Sequence, residues 1–192
     1  MTNLQYAYLL VAIYYCSEGL NALSRWSDKK TDKEAGQADK GSIYVLGGAM
    51  TLSIILSLIV ANYVEPSWLG LFPLLPVLGV ALFLAGLYFR WHSIRHLGKF
   101  FTVQVAISDD HRVIDTGPYK YIRHPSYTGG LMMCLGLGLC LANPVSLAIL
   151  MLLPFMGFLW RMNVEEIALR KALGDTYVTY SAKTKRLIPF IY

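Results

Sequence analysis

Residues 104–127 read QVAISDDHRVIDTGPYKYIRHPSY, a polar, turn-rich stretch between strongly apolar segments. A Gly-Pro pair at 117–118 marks a turn within it, because glycine and proline interrupt helices and strands. An Arg-His-Pro triplet at 123–125 ends it just before the next apolar segment. We therefore expect polar groups to be held at the mouth of a bundle of apolar helices.

The residues on either side of that stretch are unusually apolar. Of the 192 residues, 55% are hydrophobic and only 15% are charged, and the mean hydropathy is +0.46. The apolar residues come in long blocks, and a block of about 20 residues is long enough to cross the hydrocarbon core of a bilayer. The predicted fold is an all-α integral membrane protein with about five transmembrane helices.

Five apolar blocks are predicted to span the membrane. They are residues 4–23, 43–64, 68–89, 127–142 and 145–159. The third block is expected to continue as a helix until Gly98, because glycine commonly ends helices. The last two blocks are short and are joined by Asn143 and Pro144. This hairpin either crosses the bilayer fully or crosses with its polar ends drawn inward.

The length is that of one domain, which we divide into four successive parts. These are three N-terminal spans, a cytoplasmic polar segment, a helical hairpin, and a C-terminal amphipathic helix with a basic tail: residues 1–90, 91–126, 127–160 and 161–192. Glu18 lies near the end of the first block. We interpret it as a carboxylate close to the membrane interface.

The basic residues define the expected orientation. Residues 24–41, 90–123 and 161–192 contain five, six and six lysines or arginines, which are all 17 in the chain. The loops around Glu65 and Asn143, which would face the other side, contain none. Because cytoplasmic loops carry the excess of basic residues, we expect the N-terminus outside and the three basic regions, including the polar segment that contains the motif residues, in the cytoplasm.

Three classes of site are disfavoured by the pattern. The net charge of +5 lies in loops between apolar blocks, so it indicates membrane topology rather than a nucleic-acid-binding module. His92 and His96 have a spacing that could share a metal ion, but in a basic helix beside the membrane they are interpreted as facing lipid headgroups, and no metal is expected. The cysteines lie inside apolar blocks without a CxxC spacing and are interpreted as packing residues: Cys16, Cys134 and Cys140.

Two polar features remain open on spacing alone. Residues 104–115 could either hold a polar cofactor or serve as an ordinary connecting loop. Arg161 and Glu165 share one face of a helix, either as a surface ion pair or with Arg161 reaching back to hold an anion at membrane level. Glu166 and Arg170 have the same spacing and are interpreted as an ordinary pair on the helix surface.

Together, two motifs are specific enough to indicate a family. Residues 117–127 read GPYKYIRHPSY, residues 161–166 read RMNVEE, and Gly174, Tyr177 and Tyr180 follow. The combination resembles the isoprenylcysteine carboxyl methyltransferase family and its bacterial and archaeal relatives, which share this signature with phospholipid methyltransferases. The resemblance covers about residues 97–190, half of the chain.

This resemblance implies that S-adenosyl-L-methionine is the methyl donor, bound on the cytoplasmic side. The implied cofactor contacts are Gln104, His111, Arg112, Val113, Ile114, Tyr119, His124, Pro125, Ser126, Tyr127 and Glu165. Residues 112–114 would contribute mainly backbone contacts. Arg161 would bind the substrate, and Arg161 and Glu165 would form the catalytic pair.

The residue types fit that chemistry. Methyl transfer from a sulfonium needs mainly positioning and a dry site. Glu165 can pair with the ammonium of the cofactor, and aromatic rings can face its sulfonium. Arg161 can hold a carboxylate, which is already ionised at neutral pH and needs no general base. Pro125 disfavours helical geometry at His124 and so turns the chain at the pocket.

The expected activity is carboxyl O-methylation of an isoprenylcysteine-like or another lipophilic acceptor. One alternative is a phospholipid N-methyltransferase, although Arg161 would repel a cationic amine. Others are an NADPH-dependent enzyme resembling sterol reductases, which are longer, and a non-catalytic lipid-binding protein. The expected partners are the lipophilic acceptor and membrane lipids, and a bacterial or archaeal inner membrane is favoured over the endoplasmic reticulum.

Overall fold

The computed structural model describes residues 2–24, 41–64, 68, 72–101, 112–189 and 191–192. Every regular element in these ranges is helical. The α-helices are α1 Asn3–Ser24, α2 Ser42–Tyr63, α3 Leu75–Leu97, α4 Pro125–Leu141, α5 Pro144–Leu173 and α6 Asp175–Lys183, with short 3-10 helices at Gly98–Phe100 and Gly117–Lys120. The predicted all-α fold is therefore confirmed.

Three of these helices are long and apolar enough to cross a membrane. Within the described ranges they are α2, α3 and α5. Helix α4 is apolar but shorter, with 17 residues. A membrane-spanning bundle is thus confirmed, whereas the count of five spans stays a prediction.

Helix α3 begins later than its apolar block and ends where expected. It starts at Leu75 rather than at residue 68, and Pro76 lies in its first turn. Proline is tolerated there because the backbone N–H groups of the first turn have no partner within the helix. Its C-terminal cap is Gly98, with φ of 58°. This conformation suits glycine, so the predicted end of the helix is confirmed.

Helix α5 continues through the boundary that we predicted at residues 160 and 161. It has 30 residues and is therefore about 45 Å long, longer than the roughly 30 Å of hydrocarbon in a bilayer. The side chains become polar there, but the backbone helix does not break. Asn143 caps its first turn by accepting hydrogen bonds from the backbone amides of Val145 and Ser146. The RMNVEE motif consequently lies on a rigid helix.

Helices α3 and α4 pack very closely through glycines. A Cβ atom added at Gly129 would lie 2.7 Å from the backbone oxygen of Gly86, and one at Gly86 would lie 2.8 Å from the oxygen of Gly129. Small residues allow helix backbones to approach in this way inside membranes. The close approach sets the end of α3 against the start of α4, where the Arg-His-Pro triplet lies.

Helices α2 and α5 are joined by buried serines. The Ser57 hydroxyl donates to the backbone oxygen of Ser146 over 3.2 Å, and the Ser146 hydroxyl donates to the backbone oxygen of Ser57 over 3.0 Å. Such bonds satisfy polar groups that have no water to bind. They fix α2 beside α5, so that Ser42 at the start of α2 lies near Arg161.

Candidate active site

A cavity of about 240 Å³ lies where the ends of α3 and α5 meet the start of α4. Its walls combine charged side chains with apolar ones. The charged residues are Glu18, Arg90, Arg112, Arg123, Arg161 and Glu165. The larger apolar residues include Ile94, Leu97, Phe100, Phe101, Leu169 and Leu173. A ligand here would contact both charge and hydrocarbon.

Most of the residues predicted to bind cofactor or substrate line this one cavity. They are Arg112, Val113, Ile114, Tyr119, His124, Ser126, Tyr127, Arg161 and Glu165. Pro125 is buried as the first residue of α4, between two of them. Gln104 and His111 lie outside the described residues. The fold thus brings the two sequence motifs together, while the binding roles stay predictions.

The Arg-His-Pro triplet forms the turn into α4. His124 is the N-terminal cap of the helix, with φ and ψ of −121° and 57°, so the predicted non-helical geometry before Pro125 is confirmed. The backbone amides of Arg123 and His124 donate to the oxygens of Lys185 and Arg186, over 2.7 and 3.0 Å. The C-terminal tail therefore holds this turn in place.

One hydroxyl connects the two predicted catalytic residues. Tyr127 donates to Glu165 Oε2 over 2.8 Å and accepts from Arg161 Nε at 3.4 Å. Arg161 also donates through Nη1 to the Ser42 hydroxyl over 2.8 Å. The arginine is only 2% exposed, and the Glu165 side chain is 29% exposed. The guanidinium is thus oriented from two sides, while the carboxylate remains accessible from the cavity.

Glu166 does not form the surface pair with Arg170 that its spacing predicted. It is 2% exposed and binds three cationic or ionisable side chains instead. Its Oε1 lies 3.1 Å from Arg123 Nε and 3.2 Å from His124 Nε2, and its Oε2 lies 2.9 Å from Arg186 Nη2. The interpretation was wrong because it considered partners on the same helix only. The second glutamate of the RMNVEE motif is the sequence feature that could have indicated a buried partner.

Glu18 is more than a carboxylate near the interface. It lines the cavity and pairs with Arg90 through two bonds, Nε to Oε1 at 2.8 Å and Nη2 to Oε2 at 2.9 Å. Arg90 also donates through Nη1 to the backbone oxygen of Ser126 over 3.2 Å. This pair ties α1 and α3 to the first turn of α4. Arginine in a hydrocarbon setting requires such partners, which is the signal that could have identified the pair.

His92 and His96 belong to a row of aromatic rings that runs from α3 to the 3-10 helix at Gly117–Lys120. Tyr88, His92, His96 and Tyr119 follow one another with ring centroids 6.0 to 6.2 Å apart. His96 Nε2 lies 2.9 Å from the Thr116 hydroxyl. These contacts hold the turn at Gly117, which packs directly against the His96 ring.

Two tyrosines of α6 complete the wall. The Tyr180 hydroxyl donates to the backbone oxygen of Tyr119 over 2.8 Å. Tyr177 is 3% exposed, and its buried hydroxyl has no hydrogen-bond partner within the described ranges. Burial raises the pKa of Tyr177, and the nearby carboxylates of Glu166 and Glu165 raise it further. The hydroxyl therefore stays protonated at neutral pH and can donate a hydrogen bond.

The region that carries this cavity is similar to known methyltransferases. A family model described as the isoprenylcysteine carboxyl methyltransferase (ICMT) family matches residues 78–171. The protein-S-isoprenylcysteine O-methyltransferase of Saccharomyces cerevisiae is 36% identical over 117 residues, which cover 60% of this chain and 49% of that protein. The Xenopus laevis protein of the same name is 33% identical over 119 residues, covering 61% and 41%.

A solved structure is similar as well. The eukaryotic intramembrane Ras methyltransferase ICMT, solved without a monobody, matches with a TM-score of 0.63 and 28% sequence identity. The match covers 73% of this chain and 52% of that one. The chain thus spans about half the length of the relatives that it matches. The similarity includes α3, α4 and α5, the helices that build most of the cavity.

Proposed function

We propose that this chain, which is similar to the isoprenylcysteine carboxyl methyltransferase family over residues 78–171, methylates a carboxylate on a lipophilic acceptor, with S-adenosyl-L-methionine as methyl donor. One observation carries the proposal. Glu165, Tyr127 and Arg161 are linked by hydrogen bonds in the wall of one cavity. In this arrangement the Glu165 carboxylate can bind a cationic group, and the neighbouring Arg161 guanidinium can bind an anionic group.

The cavity has groups that suit the methyl donor. When bound, this cofactor supplies an electrophilic methyl group on a sulfonium. Glu165 is exposed enough to pair with the ammonium of the cofactor. The rings of His124 and Tyr127 are stacked, with their centroids 5.3 Å apart and their planes 8° from parallel. They offer an aromatic face to a cation. The hydroxyl of Tyr177, which has no hydrogen-bond partner among the described residues, offers one more hydrogen bond. Residues 112–114 add backbone to the same wall.

Arg161 is the proposed binding group for the acceptor. Its positive charge can attract a carboxylate, and Ser42 and Tyr127 fix the orientation of the guanidinium. The acceptor carboxylate is ionised at neutral pH, so the site needs no general base. Apolar residues around the cavity exclude water, which strengthens these electrostatic interactions.

A lipophilic acceptor suits a cavity between membrane helices. Leu97, Leu169 and Leu173 line the cavity and can contact a hydrocarbon chain that arrives from the bilayer. The matched relatives are named protein-S-isoprenylcysteine O-methyltransferases, which makes a prenylated cysteine the first acceptor to test. The similarity to this family gives no support to an NADPH-dependent reductase or to a non-catalytic lipid-binding protein.

We further propose that the cavity faces the cytoplasm and that the N-terminus lies outside. Described residues from the segments 90–123 and 161–192 line the cavity, and these two segments contain most of the basic residues of the sequence. Basic segments remain on the cytoplasmic side. A bacterial or archaeal inner membrane stays our prediction for the location.

The first test is calorimetric titration of the detergent-purified protein with S-adenosylhomocysteine and, separately, with NADPH. The second test measures transfer of a radiolabelled methyl group to farnesylated cysteine or to phosphatidylethanolamine. We expect binding of S-adenosylhomocysteine and labelling of the cysteine derivative. Binding of NADPH alone would refute methyl transfer, and labelling of the phospholipid alone would replace the carboxylate acceptor by an amine.

The role of Arg161 has its own variant. Arg161→Ala should raise the KM for the acceptor or abolish turnover, while the affinity for S-adenosylhomocysteine changes by less than roughly fivefold, the loss of one weak hydrogen bond. Arg170→Ala is the matched control, since it removes the same charge from an exposed position of the same helix. Normal acceptor kinetics in Arg161→Ala would remove this residue from the site.

A further inference from the structure

Tyr177 carries a polar group that the described protein does not satisfy. The residue lies in the first turn of α6 and lines the cavity. It is 3% exposed, and its hydroxyl oxygen has no hydrogen-bond partner in the described part of the chain. Burying a hydroxyl without a partner opposes folding, so each such group in a folded protein needs an explanation.

The other tyrosines that line the cavity behave differently. Tyr119 donates to the backbone oxygen of Ser93 over 3.3 Å, Tyr127 donates to Glu165 over 2.8 Å, and Tyr180 donates to Tyr119 over 2.8 Å. Each of these hydroxyls serves the protein's own structure. The Tyr177 hydroxyl is therefore the member of this group that is available to a ligand in the cavity.

Its charged surroundings indicate which part of a ligand it would meet. Tyr177, Glu165 and Arg123 line the same cavity, and the carboxylates of Glu166 and Glu165 raise the pKa of Tyr177 while Arg123 lowers it. Glu166 and Arg123 are already paired with each other at 3.1 Å. Glu165 is the carboxylate assigned above to the ammonium of the cofactor, and an amino acid carries its carboxylate one carbon away from that ammonium.

We propose that the Tyr177 hydroxyl is a further cofactor-binding group, which donates a hydrogen bond to the α-carboxylate of S-adenosylmethionine beside Glu165. The inference rests on the proposed function and deepens it. Glu165 and Tyr177 together recognise a zwitterion, because one accepts from the cation and the other donates to the anion. A neutral donor also leaves the balance of charge around Glu166 and Arg123 unchanged.

The test compares Tyr177→Phe with the wild type by calorimetry, using two probes. S-adenosylhomocysteine carries the amino-acid end, whereas 5′-methylthioadenosine lacks it. We expect Tyr177→Phe to bind S-adenosylhomocysteine about 10- to 100-fold more weakly, as for loss of one hydrogen bond to a charged group. The affinity for 5′-methylthioadenosine should not change.

Thermal unfolding of the ligand-free protein separates this role from a structural one. Tyr177→Phe removes an unsatisfied hydroxyl, so its melting temperature should equal or exceed that of the wild type. Tyr180→Phe is the control on the same helix. It removes a hydroxyl that is bonded to the protein and should lower the melting temperature. A lower melting temperature for Tyr177→Phe would contradict the inference.

The remaining outcomes are distinct. If the wild type does not bind S-adenosylhomocysteine, the proposed function fails and the inference fails with it. If the wild type binds and Tyr177→Phe binds equally well, only the role of Tyr177 is refuted. An equal loss of affinity for both probes would also refute it, since the hydroxyl would then act on the shape of the cavity and not on the α-carboxylate.

Discussion

Replacing Glu166 with alanine is expected to destabilise the protein far more than replacing its neighbour Glu165. Glu166 has a side chain that is 3% exposed, and both of its oxygens are engaged: Oε1 with Arg123 and His124, and Oε2 with Arg186. The side chain of Glu165 is 29% exposed. The two positions differ by one residue and carry the same charge, so they form a matched pair.

The magnitude follows from what the substitution leaves behind. Without Glu166, the Arg123 guanidinium, with its side chain 11% exposed, remains buried without its carboxylate. Removing one partner of a buried ion pair costs about 3–5 kcal/mol. Arg186 is 24% exposed and can regain water, which favours the lower half of that range. For a chain of this size each kcal/mol corresponds to about 2–4 °C, so a cost of about 3–4 kcal/mol should lower the melting temperature by roughly 6–16 °C.

The assay is thermal unfolding in one detergent together with titration by S-adenosylhomocysteine, for both variants. Glu165→Ala should unfold within a few degrees of the wild type (about 1 kcal/mol or less for a partly exposed group). Its affinity should fall about 10- to 100-fold, because the ammonium loses its partner. A melting temperature for Glu166→Ala within about 3 °C of the wild type would refute a structural role for Glu166 that Glu165 does not share. Equal changes of melting temperature and of affinity in both variants would refute it as well.

Three further substitutions test the packing and the pairs around the cavity. Glu18→Gln should lower the free energy of unfolding by about 1.5–3 kcal/mol in the same unfolding assay. Adding Arg90→Met to that variant should restore part of the loss, because no unpaired charge then remains. A double variant that is no more stable than Glu18→Gln would contradict the pairing. Ser42→Ala should raise the acceptor KM about 3- to 10-fold without changing the affinity for S-adenosylhomocysteine, and an unchanged KM would exclude an orienting role. Gly129→Leu should lower the free energy of unfolding by at least about 1–3 kcal/mol, since a Cβ atom at this position would lie 2.7 Å from a backbone oxygen of α3. Gly48 has open space around it, so the control Gly48→Leu should unfold like the wild type.

The helices were the part of this protein most readily predicted from sequence. The second apolar block, residues 43–64, differs by one residue at each end from Ser42–Tyr63, because length and hydropathy are local properties of the chain. The third block was predicted to start too early, since Pro73 and Pro76 delay the first helical turn. The motifs at 117–127 and 161–166 also indicated which segments would meet.

The partners of the buried charges were not predictable in this way. Glu166 and Arg123 are 43 positions apart, Glu18 and Arg90 are 72 apart, and Ser42 and Arg161 are 119 apart. Such pairs depend on which helices pack together and at what distance. Spacing along one helix finds only neighbours three or four residues away, which is why Glu166 was assigned to the wrong partner.

The geometry of an α-helix explains how the RMNVEE motif serves two purposes. Successive residues are rotated by about 100° around the helix axis, so Arg161 and Glu165, four positions apart, lie on the same face and both line the cavity. Glu166 is turned away from that face and pairs with Arg123 and His124 of the Arg-His-Pro turn, whereas Glu165 is farther from that turn, with Oε2 3.7 Å from His124 Nδ1. One glutamate is thus left accessible to a ligand while the next holds the turn that carries His124. Exchanging the two roles would require rotating the whole helix, so both glutamates are needed in this order.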